Sequence, residues 1–204
     1  MTNNETRAGQ PHQGNAERRK ISIYLDTSIV SRIRDYGRLD DAAAQALEKL
    51  SEFSHQIHYV TSDTLTNEVA RTKDPRTRGA LLLFAAIIDK VPWEVPEHPG
   101  GWGGAPFGVM PWGAAGWTHP LYAGLSEIFD RLDAHHLFLA VRAECDYFLT
   151  LDRKTIIERA TAEQTRVSEL CGKTTIVDPQ ELCRTLEALR SLELQRALAA
   201  QAEK

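Results

Sequence analysis

Apolar positions along the chain follow two rhythms, and the switches between them mark the elements. Ile21 to Leu25 is a short β-rich run that reads as a buried strand. A short helical stretch follows from Ile29 to Tyr36. Asp40 and Asp41 then place acid at the start of an Ala/Leu-periodic helix that reaches about Phe53. Gln56 to Val60 reads as a second strand. Ser62 or Asp63 opens a helix with Leu65, Val69 and Ala70 on one face, and Asp74-Pro75 ends it. Arg76 to Lys90 is predicted as one helix, apolar enough through Ala80 to Ile88 to suggest burial in the core or at an interface. Val91 to Val95 suits a short strand. Helix resumes at Pro120 or Leu121, and Asp133 to Cys145 carries Leu137, Ala140 and Val141 at helical spacing. A strand over Tyr147 to Leu151, a helix from about Thr155 to Leu170 and a strand over Thr174 to Val177 come next. Pro179 opens the final helix. Strands alternate with helices throughout, so the expected class is α/β with a mainly parallel sheet.

The 204 residues suit one domain. Three segments stand apart from the pattern. Residues 1–19 form a polar tail expected to be disordered, and residues 191–204 extend the last helix beyond a domain spanning 20–190. Residues 96–119 form an insertion: Pro96 to Trp117 holds seven of the thirteen glycines, and with Trp93 it holds all four tryptophans. Loops of this length inside compact domains are often functional. Trp93, Trp102, Trp112, Trp117 and Phe107 suit a cover over the domain's own core, an anchor for a partner protein or a base-stacking platform. The absence of Lys and Arg between Val91 and Trp117 argues against a phosphate-tracking groove.

No apolar run approaches the ~20 residues of a bilayer span, and Met1 to Lys20 lacks the apolar stretch of a signal peptide. Cys145, Cys171 and Cys183 are widely separated and odd in number, which supports neither a zinc ribbon nor a disulfide framework. A reduced, cytoplasmic setting is the expectation. The net charge of −4 gives no electrostatic signature of nucleic-acid binding. It equals the charge of four particular acids, so the remaining surface is close to neutral.

Those acids carry the chemistry. Asp26 closes the first strand and Asp152 the strand over 147–151, so parallel pairing sets them at the same sheet edge, where such folds build their sites. Glu68 and Asp133 lie at the starts or first turns of helical patterns. Each has an ordinary reading: Asp26 as a helix N-cap, Glu68 as a solvated helix-surface residue, Asp133 as helix-start electrostatics beside Asp130, and Asp152 as a turn residue. Asp146, before the strand, is the better turn residue. Four carboxylates meeting at one edge repel each other unless a cation joins them, and an all-oxygen donor set selects Mg²⁺ or Mn²⁺. His135-His136 does not suit zinc, because adjacent helical side chains diverge by ~100°; a core, surface or supporting role fits better. The chain has no GxGxxG or GxxxxGK[ST] after a strand and no Gly-x-Ser-x-Gly elbow. Nucleotide-binding and Ser-His-Asp hydrolase readings are correspondingly weak.

In order and spacing, Ile23-Tyr24-Leu25-Asp26-Thr27-Ser28, Ser62 through Glu68-Val69, Asp133 through Ala140, Cys145 through Asp152 and Ile176 through Leu182 together resemble the PIN-domain family. The resemblance covers residues 20–190. It implies a Rossmann-like three-layer α/β/α sandwich and a Mg²⁺- or Mn²⁺-dependent ribonuclease. Asp26, Glu68, Asp133 and Asp152 would be the catalytic, metal-holding quartet, supported by Ser28 and Thr150. RNA would be the substrate. Many bacterial members are toxins of VapC-like toxin–antitoxin modules, so an antitoxin protein is an implied partner. The Gly/Trp-rich segment and the tails depart from the compact toxin pattern. The alternative is a catalytically degenerate PIN fold that binds RNA or protein. The apolar stretch 80–88 and the C-terminal helix are the candidate surfaces for a homodimer.

Overall fold

The computed structural model describes residues 19–34, 39–90 and 119–202. It is an α/β structure built on one five-stranded, all-parallel sheet in the order β3-β2-β1-β4-β5. The strands are β1 (Ile21–Leu25), β2 (Ile57–Thr61), β3 (Asp89–Lys90), β4 (Tyr147–Leu149) and β5 (Thr175–Val177). β1 is central and aligns Ile21 with Ile57 on one side and Ile23 with Tyr147 on the other. The chain winds outward from β1 through β2 to β3, then returns to start β4 on the other side of β1. The order therefore reverses between β1 and β4, and in open parallel sheets the crevice at such a reversal is where sites form.

Period-two side-chain alternation splits the core into two layers. Ile23, Leu25, Ile57, Leu149 and Val177 face one side and pack with α2 (Asp41–Leu50) and α9 (Pro179–Ala202). Tyr24, Val60 and Phe148 face the other and pack with α5 (Pro120–Ser126), α6 (Arg131–Arg142) and α8 (Gln164–Cys171). The result is the three-layer, Rossmann-like arrangement expected from the alternation of strands and helices. A smaller cluster of Val30, Leu65, Val69, Leu81 and Ala85 joins α1 (Thr27–Arg34), α3 (Asp63–Ala70) and α4 (Pro75–Ile87). Local chemistry fixes several helix starts. Asp40 accepts from the Ala43 N–H, and Asp74 accepts from the Thr77 N–H with Pro75 in the first turn.

Several boundaries differ from the sequence pattern. The first short helix begins at Thr27 rather than Ile29. The helix expected over 76–90 stops at Ile87, and Asp89 and Lys90 turn extended to pair with Val60 and Thr61. Edge pairing wins there, helped by a His58–Asp89 hydrogen bond and a Lys90–Asp63 ion pair, each 2.7 Å long. Burial of α4 is one-sided: Leu81 and Ala85 are buried, but Leu83 is 70% exposed and Ile87 74%. The strand expected to Leu151 ends at Leu149. The helix expected over 155–170 is three pieces: a π-helical turn (Arg153–Ile157), α7 (Glu158–Ala162) and α8, broken at Glu163. Ile156, Val167 and Cys171 keep helical spacing across the break, so the pattern does not betray it. The expected strand 91–95 and all four tryptophans lie outside the described residues.

All three cysteines are free thiols buried in the core. Among the described residues, no helix is long and apolar enough to cross a membrane. α9 joins the domain through its first two turns, where Leu182, Cys183 and Leu186 are buried and Cys183 donates to the Ala46 carbonyl at 3.1 Å. Beyond this, Leu192, Leu194 and Leu198 are exposed. Leu186→Ala is therefore expected to lower the unfolding free energy by about 2–5 kcal/mol. Leu194→Ala should stay within about 0.5 kcal/mol of wild type. Urea unfolding followed by circular dichroism compares the two, and equal losses would contradict this division of the helix.

Candidate active site

The carboxyl ends of β1, β2 and β4 lie side by side, and each delivers an acid. Asp26 follows β1 directly, and its N–H donates to the Leu149 carbonyl across the reversal point at 3.1 Å. Its carboxylate is only 5% exposed, so its orientation depends on the donors around it. Oδ1 accepts from the Thr27 N–H at 2.8 Å. Oδ2 accepts from the Thr150 hydroxyl at 2.7 Å and from the Ser28 hydroxyl. Ser28 also accepts from the Leu151 N–H at 2.9 Å, tying the segment after β4 to the start of α1. The two supporting residues expected from the sequence, Ser28 and Thr150, thus both touch Asp26. Asp26 also stands at the N-cap position of α1, where Oδ2 accepts from the Ser28 N–H at 3.3 Å.

Hydroxyl residues extend this arrangement through the other three acids. The Thr27 hydroxyl donates to Glu68 Oε2, so Thr27 joins Asp26 to Glu68. The Thr150 hydroxyl accepts from the Asp152 N–H at 3.0 Å while donating to Asp26. Thr155 gives its N–H to Asp152 Oδ1 at 2.8 Å and its hydroxyl to Asp133 Oδ2 at 3.1 Å. The four acids therefore stand in one unbroken chain: Glu68, Thr27, Asp26, Thr150, Asp152, Thr155, Asp133. Thr27 is adjacent to Asp26 in sequence, and it meets Asp26 through its N–H while its hydroxyl goes to Glu68. Thr155 was not singled out, although a Thr three residues after Asp152 at a helix start is a recognisable capping spacing.

Glu68 is the sixth residue of α3, in its second turn rather than its first. It reaches inward because it precedes buried Val69. Asp133 lies in the first turn of α6. Its neighbour Asp130 turns away to pair with Arg159 at 2.9 Å, so the two do not act together. Asp146 lies at the opposite edge of the sheet, where it accepts from the Ser22 N–H at 2.9 Å. His135 and His136 are both buried and diverge: His135 Nε2 lies 3.1 Å from the Thr64 hydroxyl, whereas His136 turns toward Glu68.

The electrostatics of the four are uneven. Burial pushes the Asp133 carboxyl up to about 6, and the charges of Asp26, Asp152 and Asp130 add to the effect against the Thr155 hydrogen bond. Burial also pushes Glu68 upward. Hydrogen bonding and charge from His136, with Thr27 and Arg71, outweigh it and hold the carboxyl below its ordinary value. His135 is pushed down to about 4, chiefly by burial, and stays neutral.

Among the described residues, no three His, Cys, Asp or Glu side chains close around one point as metal ligands. The donor chemistry nevertheless suits a hard cation, since all four groups are carboxylates, and the Asp133 carboxyl, raised chiefly by burial, is raised further by the charges of Asp26 and Asp152. A shallow basin of about 640 Å³ lies at the opposite, amino edge, lined by residues including Arg19, Lys20, His58 and Arg142, and is remote from this chemistry. No protein-family model matches the chain, and no curated protein matches it in sequence.

The Asp133 carboxyl titrates above the 3.8 of an ordinary aspartate, so its ionisation opposes folding. The penalty is absent below the ordinary value, grows as pH rises toward 6 and is full above it. Without divalent cations, Asp133→Asn should therefore gain thermal stability over wild type at about pH 7.5 but not at about pH 4. Melting temperatures at the two pH values measure the gain. A pH-independent difference would argue against a strained carboxylate at this position.

Proposed function

We propose that the chain is a PIN-like, Mg²⁺- or Mn²⁺-dependent endoribonuclease. The observation that carries this reading is the set of four acids linked through Thr27, Thr150 and Thr155, by hydroxyl and N–H hydrogen bonds, at the edge where the strand order reverses. Many folds place one acid at a strand end for turn or capping purposes. Four acids, two following β1 and β4 and two within α3 and α6, each oriented by a neighbour's hydroxyl or N–H, form an arrangement that helix capping alone does not require. Their order along the chain matches the family motif that the sequence resembles. RNA as substrate rests on that resemblance, as does an antitoxin partner, if the chain acts as a toxin.

Asp26, Asp133 and Asp152 would hold the ion, with Glu68 completing the set or orienting the attacking water. A bound ion supplies a more acidic water and offsets charge on the phosphorane-like transition state. The chain's own residues do the positioning. Thr150 and Ser28 fix the Asp26 carboxylate, and Thr155 fixes both Asp152 and Asp133. No side chain is required as a nucleophile.

Purified protein is expected to cleave single-stranded RNA with Mn²⁺, and Asp26→Asn to lose at least about 100-fold in rate. Asp26 is deeply buried, so Asp152→Asn serves as a second variant less able to disturb the fold. Cleavage by both variants at the wild-type rate would overturn the assignment. Wild-type protein inert on RNA with either metal would leave a binding module on the same fold.

A further inference from the structure

Behind Glu68 the core contains a polar relay where apolar packing would be expected. His136 is 2% exposed and lies one turn after Asp133 in α6. Its Nδ1 is 2.8 Å from the Tyr24 hydroxyl, and that hydroxyl donates to Ser62 Oγ at 2.7 Å. Its Nε2 faces the site, 3.5 Å from Glu68 Oε2 and 3.3 Å from the Thr27 hydroxyl. Tyr24 is held in turn by a stacked Phe148, with ring centroids 5.5 Å apart and planes 10° from parallel. Ser62 occupies the N-cap position of α3 but makes no side-chain capping bond; its hydroxyl accepts from Tyr24 instead. The fold thus forgoes a helix cap and sets a tyrosine, a serine and a histidine in its interior, and the end of that line is the carboxylate of Glu68.

Satisfying buried polar atoms accounts for the contacts within the relay. It does not account for having a relay at all, since Phe at 24 and an apolar residue at 136 would fill the same layer without polar atoms to satisfy. His135, equally internal, places its Nε2 3.1 Å from the Thr64 hydroxyl. We infer that His136 is a positioning residue that acts through Glu68. It fixes the rotation of the Glu68 carboxylate by restraining Oε2 together with Thr27, so that Glu68 is set in place before an ion or RNA arrives. Tyr24 and Ser62 fix the imidazole ring in turn. This inference rests on the nuclease reading of the same four acids.

Two substitutions separate the two ends of the ring. The amide nitrogen of His136→Asn overlays Nδ1, keeping the Tyr24 contact and losing Glu68. The amide nitrogen of His136→Gln overlays Nε2, keeping Glu68 and losing Tyr24. Mn²⁺ affinity of the full-length protein by isothermal titration, single-turnover RNA cleavage and melting temperature are measured for both. His136→Asn is expected to weaken Mn²⁺ binding and slow cleavage by about 10–100-fold, the range for residues that orient ligands. The concentration of RNA at half-maximal rate should stay unchanged. His136→Gln should recover most of both losses at a comparable melting temperature, and His136→Asn should add nothing in a Glu68→Gln background. Wild-type affinity and rate in His136→Asn, or losses in both variants that simply track melting temperature, would overturn the positioning role while the nuclease reading stands. Wild-type protein that neither binds Mn²⁺ nor cleaves RNA would remove the nuclease reading, and this role with it.

Discussion

Seating four acids, buried or half-buried, at the carboxyl edge of one sheet is the constraint that this site is organised around. Carboxylates accept hydrogen bonds and cannot donate them when ionised, so two of them cannot be joined directly without a shared proton or a cation. A hydroxyl–amide residue can join them, because it offers two donors with fixed relative geometry. Thr27 and Thr155 each use their N–H on one acid and their hydroxyl on the next. Thr150 uses its hydroxyl twice, accepting from the Asp152 N–H and donating to Asp26. The acids are linked through these residues rather than to one another, and burial, with the charges of Asp26, Asp152 and Asp130 adding to it, pushes the Asp133 carboxyl up to about 6.

Backbone topology makes this arrangement available. The strand order reverses between β1 and β4, so the segments after them diverge to opposite faces and leave a gap at the carboxyl edge. Asp26 and the Thr150–Asp152 segment line that gap, and a backbone hydrogen bond from Asp26 to Leu149 fixes their separation. α1 begins at Thr27 and the π-helical turn at Arg153, so the first N–H groups of both also point to the acids. Charge at these positions is favoured locally by the helix starts even as it is disfavoured by the other acids.

The sheet was legible in the sequence because its central strands are short apolar runs bounded by polar residues, as in Ile21–Leu25 and the run beginning at Tyr147. Asp26 and Asp152 were legible for the same reason, as the first acids after those runs. What the pattern missed is long-range or geometric. β3 is two residues whose extended form is set by pairing with Val60 and Thr61, which no local propensity encodes. The break at Glu163 preserves helical spacing across itself. The apolar face of α4 left open at Leu83 and Ile87 has the same composition as the face that is covered. The specific contacts of Thr155 and His136 join residues distant in sequence, Asp133 for one and Glu68 and Tyr24 for the other, which no local pattern encodes.

Tyr24 shows why the core and the site are not separable. Its ring is fully buried and stacked on Phe148, so by packing alone it is a core residue of β1. Burial also holds its phenol far above the ordinary titration range, which keeps the hydroxyl neutral. A neutral hydroxyl can both donate and accept, and this one donates to Ser62 while lying against His136. Replacing that ring by phenylalanine would preserve the stack and strand two buried groups, the Ser62 hydroxyl and the His136 Nδ1, without their shared partner. An unsatisfied buried group costs more than the hydrogen bond it lost, and here the imidazole would be released at the nitrogen opposite Glu68. Tyr24 within β1 and Asp26 just after it therefore bear on the same site by different routes: the acid directly at the edge, the phenol through the imidazole from behind.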